Sequence, residues 1–310
     1  MGIRSASHLE RVLHERGFAV TAEVVPPRTA DPDAVAAQAW ALRGYADAAN
    51  VTDSPTGAAH MSPVAGAALV AREGMEPTIQ LTCRDRNRLA ITGDLLGAWA
   101  LGARNVLCLT GDPVQEGEHP EIAQVHDFDV LDLVRFTVRL RDQGVSLGEH
   151  RIDPAPRFFV GVADLPLIPG YDPGRLERKA EAGADFVQTQ IAYDADALGE
   201  WADRVRPLGL FERMFVLVGV APPRSAATAR FIREHLPGVV VPDEVVRRLE
   251  DAEDPEAEGI RLTVEVVERL GKIDGIAGLH VMGLGREEPV RRVIEDAGLL
   301  PRPSAVESPR

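Results

Sequence analysis

The chain has 310 residues, 45% of them hydrophobic and 26% charged, with a net charge of −14. That length supports a sizeable core, in one large domain or two small ones, and the acidity argues against a general binder of nucleic acid or anionic membrane. No apolar stretch reaches the roughly 20 residues of a membrane span, and two cysteines, Cys83 and Cys108, sit inside apolar runs as reduced thiols of a cytoplasmic protein would.

The N-terminal "MGIRSASHLERVLHERG" reads as an amphipathic helix and lacks the apolar h-region of a signal peptide. Eight short apolar runs follow. They are "AVTAEVV" (19–25), "AANVT" (48–52), "TIQLTC" (78–83), "NVLCLTG" (105–111), "RFFVGVA" (157–163), "FVQTQI" (186–191), "MFVLVGV" (214–220) and "GLHVMG" (278–283). Their continuous apolar character suits parallel strands covered on both faces. Between them lie segments of helical period such as "DPDAVAAQAWALRGY", "RLAITGDLLGAWALG" and "VLDLVRFTVRLRDQG", several of which end in glycine.

Eight strand–helix units in a chain of this size predict a (βα)8 TIM barrel over residues 1–300. A doubly wound open sheet is the alternative. It wants a glycine-rich turn after the first strand, where this chain has "PPRTADP". Two segments exceed ordinary loop length, 112–129 after strand 4 and 237–277, which reads as two extra helices before strand 8. Residues 301–310, "PRPSAVESPR", read as a disordered tail.

Sites in such barrels form at the C-terminal ends of the strands. The polar residues there are Glu23, Thr52, Asp53, Thr82, Arg84, Asp112, Asp164, Gln190, Arg224 and Arg286. Glu23 ends an apolar strand before Pro26 and Pro27. It reads either as a surface carboxylate paired with Arg28 or as a partly buried acid, whose desolvation would let it donate a proton near neutral pH. Asp112, after Gly111, reads as an Asx turn or as a carboxylate that accepts from an amino-heterocycle. Thr52 and Ser54 offer a helix cap or ligand hydroxyls. Arg84, Arg86 and Arg88 form either a salt-bridged helix start or an anion site. Arg178 and Lys179 suit a solvated helix face, whereas the Gln190 amide can donate and accept at once. His60, His119, His126 and His280 have no metal-cluster spacing, and no strand tip offers the lysine that an aldolase-type barrel needs.

Taken together, "AEVVPPR", "NVTDSP", "IQLTCRDRN", "LTGDP", "ERKAEAGADFVQTQ" and "GLHVMGLGR" resemble the methylenetetrahydrofolate reductase family, over residues 18 to about 300. The resemblance implies a (βα)8 barrel that binds FAD. NAD(P)H reduces the flavin, which reduces 5,10-methylenetetrahydrofolate to 5-methyltetrahydrofolate. It also implies Glu23 as the catalytic acid and a substrate contact, with Asp112 near flavin and pterin as the second catalytic residue. Flavin contacts would be Thr52, Gly111, Asp112, Asp172, Arg178 and Lys179, and substrate contacts Gln190 and Arg286. The chain departs from the family's better-known members at Thr110 (their Arg), Gln80 (their His) and near Ala226 (their stacking aromatic), all around the flavin and its phosphates. The alternatives are a flavin-free relative using NAD(P)H directly, a repurposed one acting on a different one-carbon donor, or a barrel subunit of a reductase complex; a homo-oligomer or a partner reductase subunit is the expected association.

Overall fold

A computed structural model describes residues 2–112, 114 and 120–303. Eight parallel strands close into a barrel in sequence order: β1 (Ala19–Val24), β2 (Ala48–Val51), β3 (Pro77–Thr82), β4 (Asn105–Leu109), β5 (Phe159–Asp164), β6 (Phe186–Ile191), β7 (Phe215–Val220) and β8 (Ile276–Val281). The ring is sealed by β1 pairing with β8, where Thr21 lies opposite His280. The open-sheet alternative is thereby excluded.

One helix precedes the barrel, α1 (His8–His14). Those that follow β1 to β7 are α2 (Pro32–Leu42), α3 (Pro63–Arg72), α4 (Arg88–Ala100), α5 (Val130–Gln143), α6 (Gly174–Glu181), α7 (Ala195–Val205) and α8 (Ala226–His235). The two expected extra helices are α9 (Asp243–Asp251) and α10 (Pro255–Leu270), and α11 (Glu287–Asp296) follows β8. Many begin as their sequences direct. Asp31, Ser62, Asn87, Asp129, Asp194, Ser225 and Asp254 each cap a helix by accepting a backbone N–H. α5 ends at Gly144 in the left-handed conformation, which costs glycine nothing.

The outward residues of the strands, such as Val20, Ala22, Val24, Ile79 and Val162, pack fully buried against the helices. Inside, the N-terminal end is filled by Phe159, Phe186, Leu107 and Leu217 and covered by Leu9 and Leu13 of α1. Phe159 and Phe186 stack at 4.8 Å. Gly161 leaves the room for this, since a Cβ there would come within 2.2 Å of the Phe186 ring. Higher in the lumen the expectation of continuous apolar strands fails. Thr21, Asn50, Gln188 and His280 are buried there and polar. Of the expected tail, 304–310 lie outside the described residues. Arg302 is held by Asp47 and by the Phe18 carbonyl.

Candidate functional site at the C-terminal mouth

Glu23 is the last inward residue of β1, only partly exposed. No hydrogen bond or ion pair to its carboxylate forms among the described residues, so the Arg28 pairing is not made. Burial alone pushes its carboxyl up to about 7. The backbone behind it is fixed by Gln38 of α2, which accepts from Val25 N and donates to Val25 O at 3.0 and 2.9 Å.

The tips of β2, β3 and β4 are tied together. Asp53 accepts from Thr82 N, from Thr82 Oγ1 and from Arg86 Nη1 at 2.9, 2.8 and 2.6 Å. Arg86 also binds Asp94, and Arg88 grips Asp127 with two bonds of 2.8 Å. Arg84, 2% exposed, holds Asp85, the Asp112 carbonyl and the Ser54 carbonyl. The salt-bridged reading of this arginine cluster is therefore the right one, because each guanidinium is already neutralised by a carboxylate. These three arginines therefore offer no free anion site among the described residues.

Gly111, at φ +99°, turns the chain after β4. A Cβ there would meet Arg84 Cβ at 2.7 Å. Asp112 is exposed and accepts from Thr56 N–H at 2.8 Å. Of the long segment 112–129, residues 113 and 115–119 lie outside the described residues, and Val125 N–H donates to Arg84 O at 2.8 Å. Thr110 is exposed. Thr52 is buried, and its hydroxyl has no partner among the described residues.

At β5, Asp164 accepts from the Tyr171 hydroxyl at 2.6 Å and faces Lys179 Nζ at 3.8 Å. Lys179 Nζ donates to Ala163 O at 2.6 Å. A lysine thus does reach a strand tip, from α6, contrary to the sequence expectation. Burial works against both charges, holding Asp164 above the usual carboxylate range and Lys179 below the usual ammonium range. Asp172 accepts from Gly174 N at 3.0 Å, and Arg178 is exposed.

A bulge in β6 between Gln188 and Ile191 re-aims Gln190. Its amide donates to Pro237 O at 3.2 Å and accepts from Ile191 N at 3.0 Å. Beyond β7 and β8 opens a cleft of about 510 Å³ lined by Pro222, Arg224, Phe231, Leu284 and Arg286 among others. Arg286 binds Glu256 of α10 at 2.7 Å, and Arg224 Nε donates to Thr228 Oγ1 at 3.3 Å. Ala226 is buried at the start of α8.

Glu23, Gln190, Asp112 and Arg286 all belong to the C-terminal rim, contributed by β1, β6, β4 and the β8–α11 connection. Sequence reasoning missed the buried amides Asn50 and Gln188 beneath them, and it weighed His280 only as a metal ligand. The available signal was period two: Thr21 precedes Glu23, and Gln188 precedes Gln190, by one inward step. Among the described residues no group of three His, Cys, Asp or Glu side chains could hold a metal, and no helix is long and apolar enough to cross a membrane.

Fold and site define a (βα)8 barrel whose mouth carries an acid without a partner among the described residues, and sites in such barrels form at that mouth. The family model for methylenetetrahydrofolate reductase matches residues 8–298, and the chain belongs to that family. It is 31% identical over 239 residues to methylenetetrahydrofolate reductase 1 of Schizosaccharomyces pombe, covering 73% of this chain and 36% of that protein. It is 23% identical to the Escherichia coli 5,10-methylenetetrahydrofolate reductase, covering 74% of this chain and 73% of that one. The chain spans little more than a third of the length of the fungal relatives it matches. A Clostridium thermocellum protein described as binding two copies of 5-methyl-5,6,7,8-tetrahydrofolic acid shares the fold, with TM-score 0.64, 13% identity and coverage of 93% and 97%.

The resemblance to this family implies a bound flavin. Thr52, with its orphan hydroxyl, suits a ligand contact. The charged set does not: Arg178 is exposed on α6, but Lys179 is held by Ala163 O and Asp164, Asp172 caps its own turn, Arg84 is closed on Asp85 and main chain, and Thr110 brings no charge. This donor set does not fit a flavin pyrophosphate.

Proposed function

We propose that the chain reduces 5,10-methylenetetrahydrofolate to 5-methyltetrahydrofolate with NAD(P)H as the hydride donor. The observation that carries this reading is Glu23, an acid pushed up to about 7 at the mouth of the barrel with no hydrogen-bond partner among the described residues. The bridge carbon of the substrate joins N5 and N10. A proton from the Glu23 carboxyl to N10 breaks the N10–carbon bond and leaves an N5 iminium cation. Hydride from the dihydronicotinamide then adds to that carbon, giving the N5-methyl product and NAD(P)+, and the carboxylate regains a proton from solvent. No step is routed through a flavin.

Asp112, exposed on the rim and fixed by Thr56 N–H, can accept from the pterin amino group and stabilise the cation. Gln190 would meet the pterin edge once its bond to Pro237 O opens. The cleft beside Arg286 joins apolar walls to two guanidinium groups, a chemistry that suits an aromatic ring ending in carboxylates. The family relationship supports the reading at the level of the barrel that the relatives share.

The test is purification, an absorbance spectrum, and NADH or NADPH oxidation with and without methylenetetrahydrofolate. The expected result is a colourless protein that oxidises the nicotinamide only when folate is added, forming 5-methyltetrahydrofolate by mass spectrometry. Absence of folate-dependent oxidation with either nicotinamide overturns the activity. Turnover that requires added FAD overturns the direct transfer.

A further inference from the structure

Below Glu23 a crossbar of side chains spans the lumen. Gln188 Nε2, from β6, donates to Thr21 Oγ1 of β1 at 3.1 Å and to Asn50 Oδ1 of β2 at 3.3 Å. Asn50 Nδ2 returns a bond to Gln188 Oε1 at 2.6 Å. Thr21 Oγ1 lies 3.2 Å from Leu279 O and 3.0 Å from His280 Nδ1 of β8. Four of the eight strands are therefore joined at one level. All four side chains are at most 4% exposed.

Thr21 is two residues before Glu23 on the same face, about 6.6 Å along the strand. Asn50 is the lateral partner of Glu23 in the β1–β2 register. Both amide hydrogens of Gln188 are committed within the crossbar. Buried donors this close to a carboxyl would ordinarily turn to it, because a hydrogen bond to a carboxylate outweighs one to a neutral oxygen.

We infer that Thr21 and Gln188 are positioning residues for Glu23, forming with Asn50 and His280 a crossbar that keeps both Gln188 amide hydrogens away from the carboxyl above it. The inference rests on the reading of Glu23 as the proton donor. Its consequence is an acid that still carries its proton part of the time near neutral pH, because donors to the charged form would favour ionisation. The titratable groups around Glu23 fit this account. His280 on β8 is held neutral, its imidazole pushed down to about 4 by burial. Asp53 after β2 is closed on Arg86, and Asp164 after β5 faces Lys179. Asp112 after β4 accepts from Thr56 N–H.

The experiment is a carbon-13 NMR titration of the Glu23 carboxyl, its resonance assigned by loss in Glu23→Gln, beside the pH profile of kcat. Thr21→Val keeps the side-chain shape and removes the oxygen that Gln188 and His280 share. The freed amide can then turn upward. The expected result is a fall of about one unit or more in the Glu23 midpoint, restored by Thr21→Ser, with the kcat profile moving equally and KM little changed. Asn50→Ala releases the other hydrogen of the same amide, moves the midpoint in the same direction, and carries the test if Thr21→Val does not fold. Folded variants with an unmoved midpoint overturn the inference and leave the crossbar as packing alone. A wild-type midpoint near 4.5 overturns it as well. Moving midpoints in a protein without folate turnover would uphold the crossbar and sink the proposed reaction instead.

Discussion

The two ends of this barrel differ in a single acid. At the N-terminal end the acids of the described residues are bonded. Glu76 accepts from Ser7 Oγ, His8 N, Leu9 N and Asn105 Nδ2 at 2.9, 2.6, 3.0 and 2.9 Å, and so fastens α1 across the opening. Glu10 accepts from Arg4 N and Ser5 N, each at 2.8 Å. Asp47 accepts from Val20 N at 2.8 Å, and Asp185 accepts from Val160 N at 2.9 Å and pairs with the buried Arg141. At the C-terminal end Asp53 and Asp164 are bonded as well, but Glu23 has no hydrogen-bond partner among the described residues, and the Thr52 hydroxyl is an orphan among them. A satisfied acid stabilises the fold, whereas an unsatisfied one is costly to bury and persists where chemistry needs it.

The sharpest break of this contrast is Glu23→Gln. It keeps the shape and removes the proton, so kcat should fall by about 10²- to 10⁴-fold while the melting temperature holds or rises. Steady-state kinetics and a thermal melt check both halves. The mirror experiment is Glu76→Ala at the other end. It strips a charged acceptor from two helix amides and two side chains, and should lower stability by about 3 kcal/mol with kcat nearly unchanged in the protein that remains folded. Denaturant unfolding of both variants tells whether function and stability separate by end.

A smaller effect appears in the pH dependence of stability. The carboxyl of Glu23 sits at about 7 in the folded protein against 4.5 ordinarily, so between those values the folded state holds the extra proton. Relative to Glu23→Gln, the wild type should therefore lose stability as pH rises from 4.5 to 7 and keep a constant gap above it. A gap that widens toward low pH would contradict the assignment. The smallest effect belongs to the Arg286–Glu256 pair, exposed on the rim. Glu256→Ala should change stability by no more than about 1 kcal/mol. Arg286→Ala should raise KM for the folate while leaving kcat close to wild type, and an unchanged KM would remove Arg286 from the substrate cleft.

Much of this was legible in the chain itself. The spacing of eight apolar runs, the capping residues Asp31, Asn87, Asp129 and Asp254, and the two extra helices in 237–277 are local patterns with local causes. The barrel and the positions of its strand tips followed from them, and Glu23 was visible as a charge where an apolar strand ends. The fate of the arginine cluster was only partly legible: Arg84 pairs with its neighbour Asp85, but its main-chain partners come from the turns after β2 and β4, and Arg86 is neutralised by carboxylates after β2 and on α4. Nor was the crossbar: Asn50 and Gln188 are 138 residues apart, and an amide inside an apolar run gives no sign of its partner.

Sequence alone determined which segments become strands and helices, and which polar residues stand at the strand ends, because periodicity and capping act within a few residues. Tertiary structure alone decided which of those polar groups are already satisfied and which is left over. Closing the ring brings distant donors and acceptors within 3 Å of one another, and the reactivity of an acid depends on the partners it does not find.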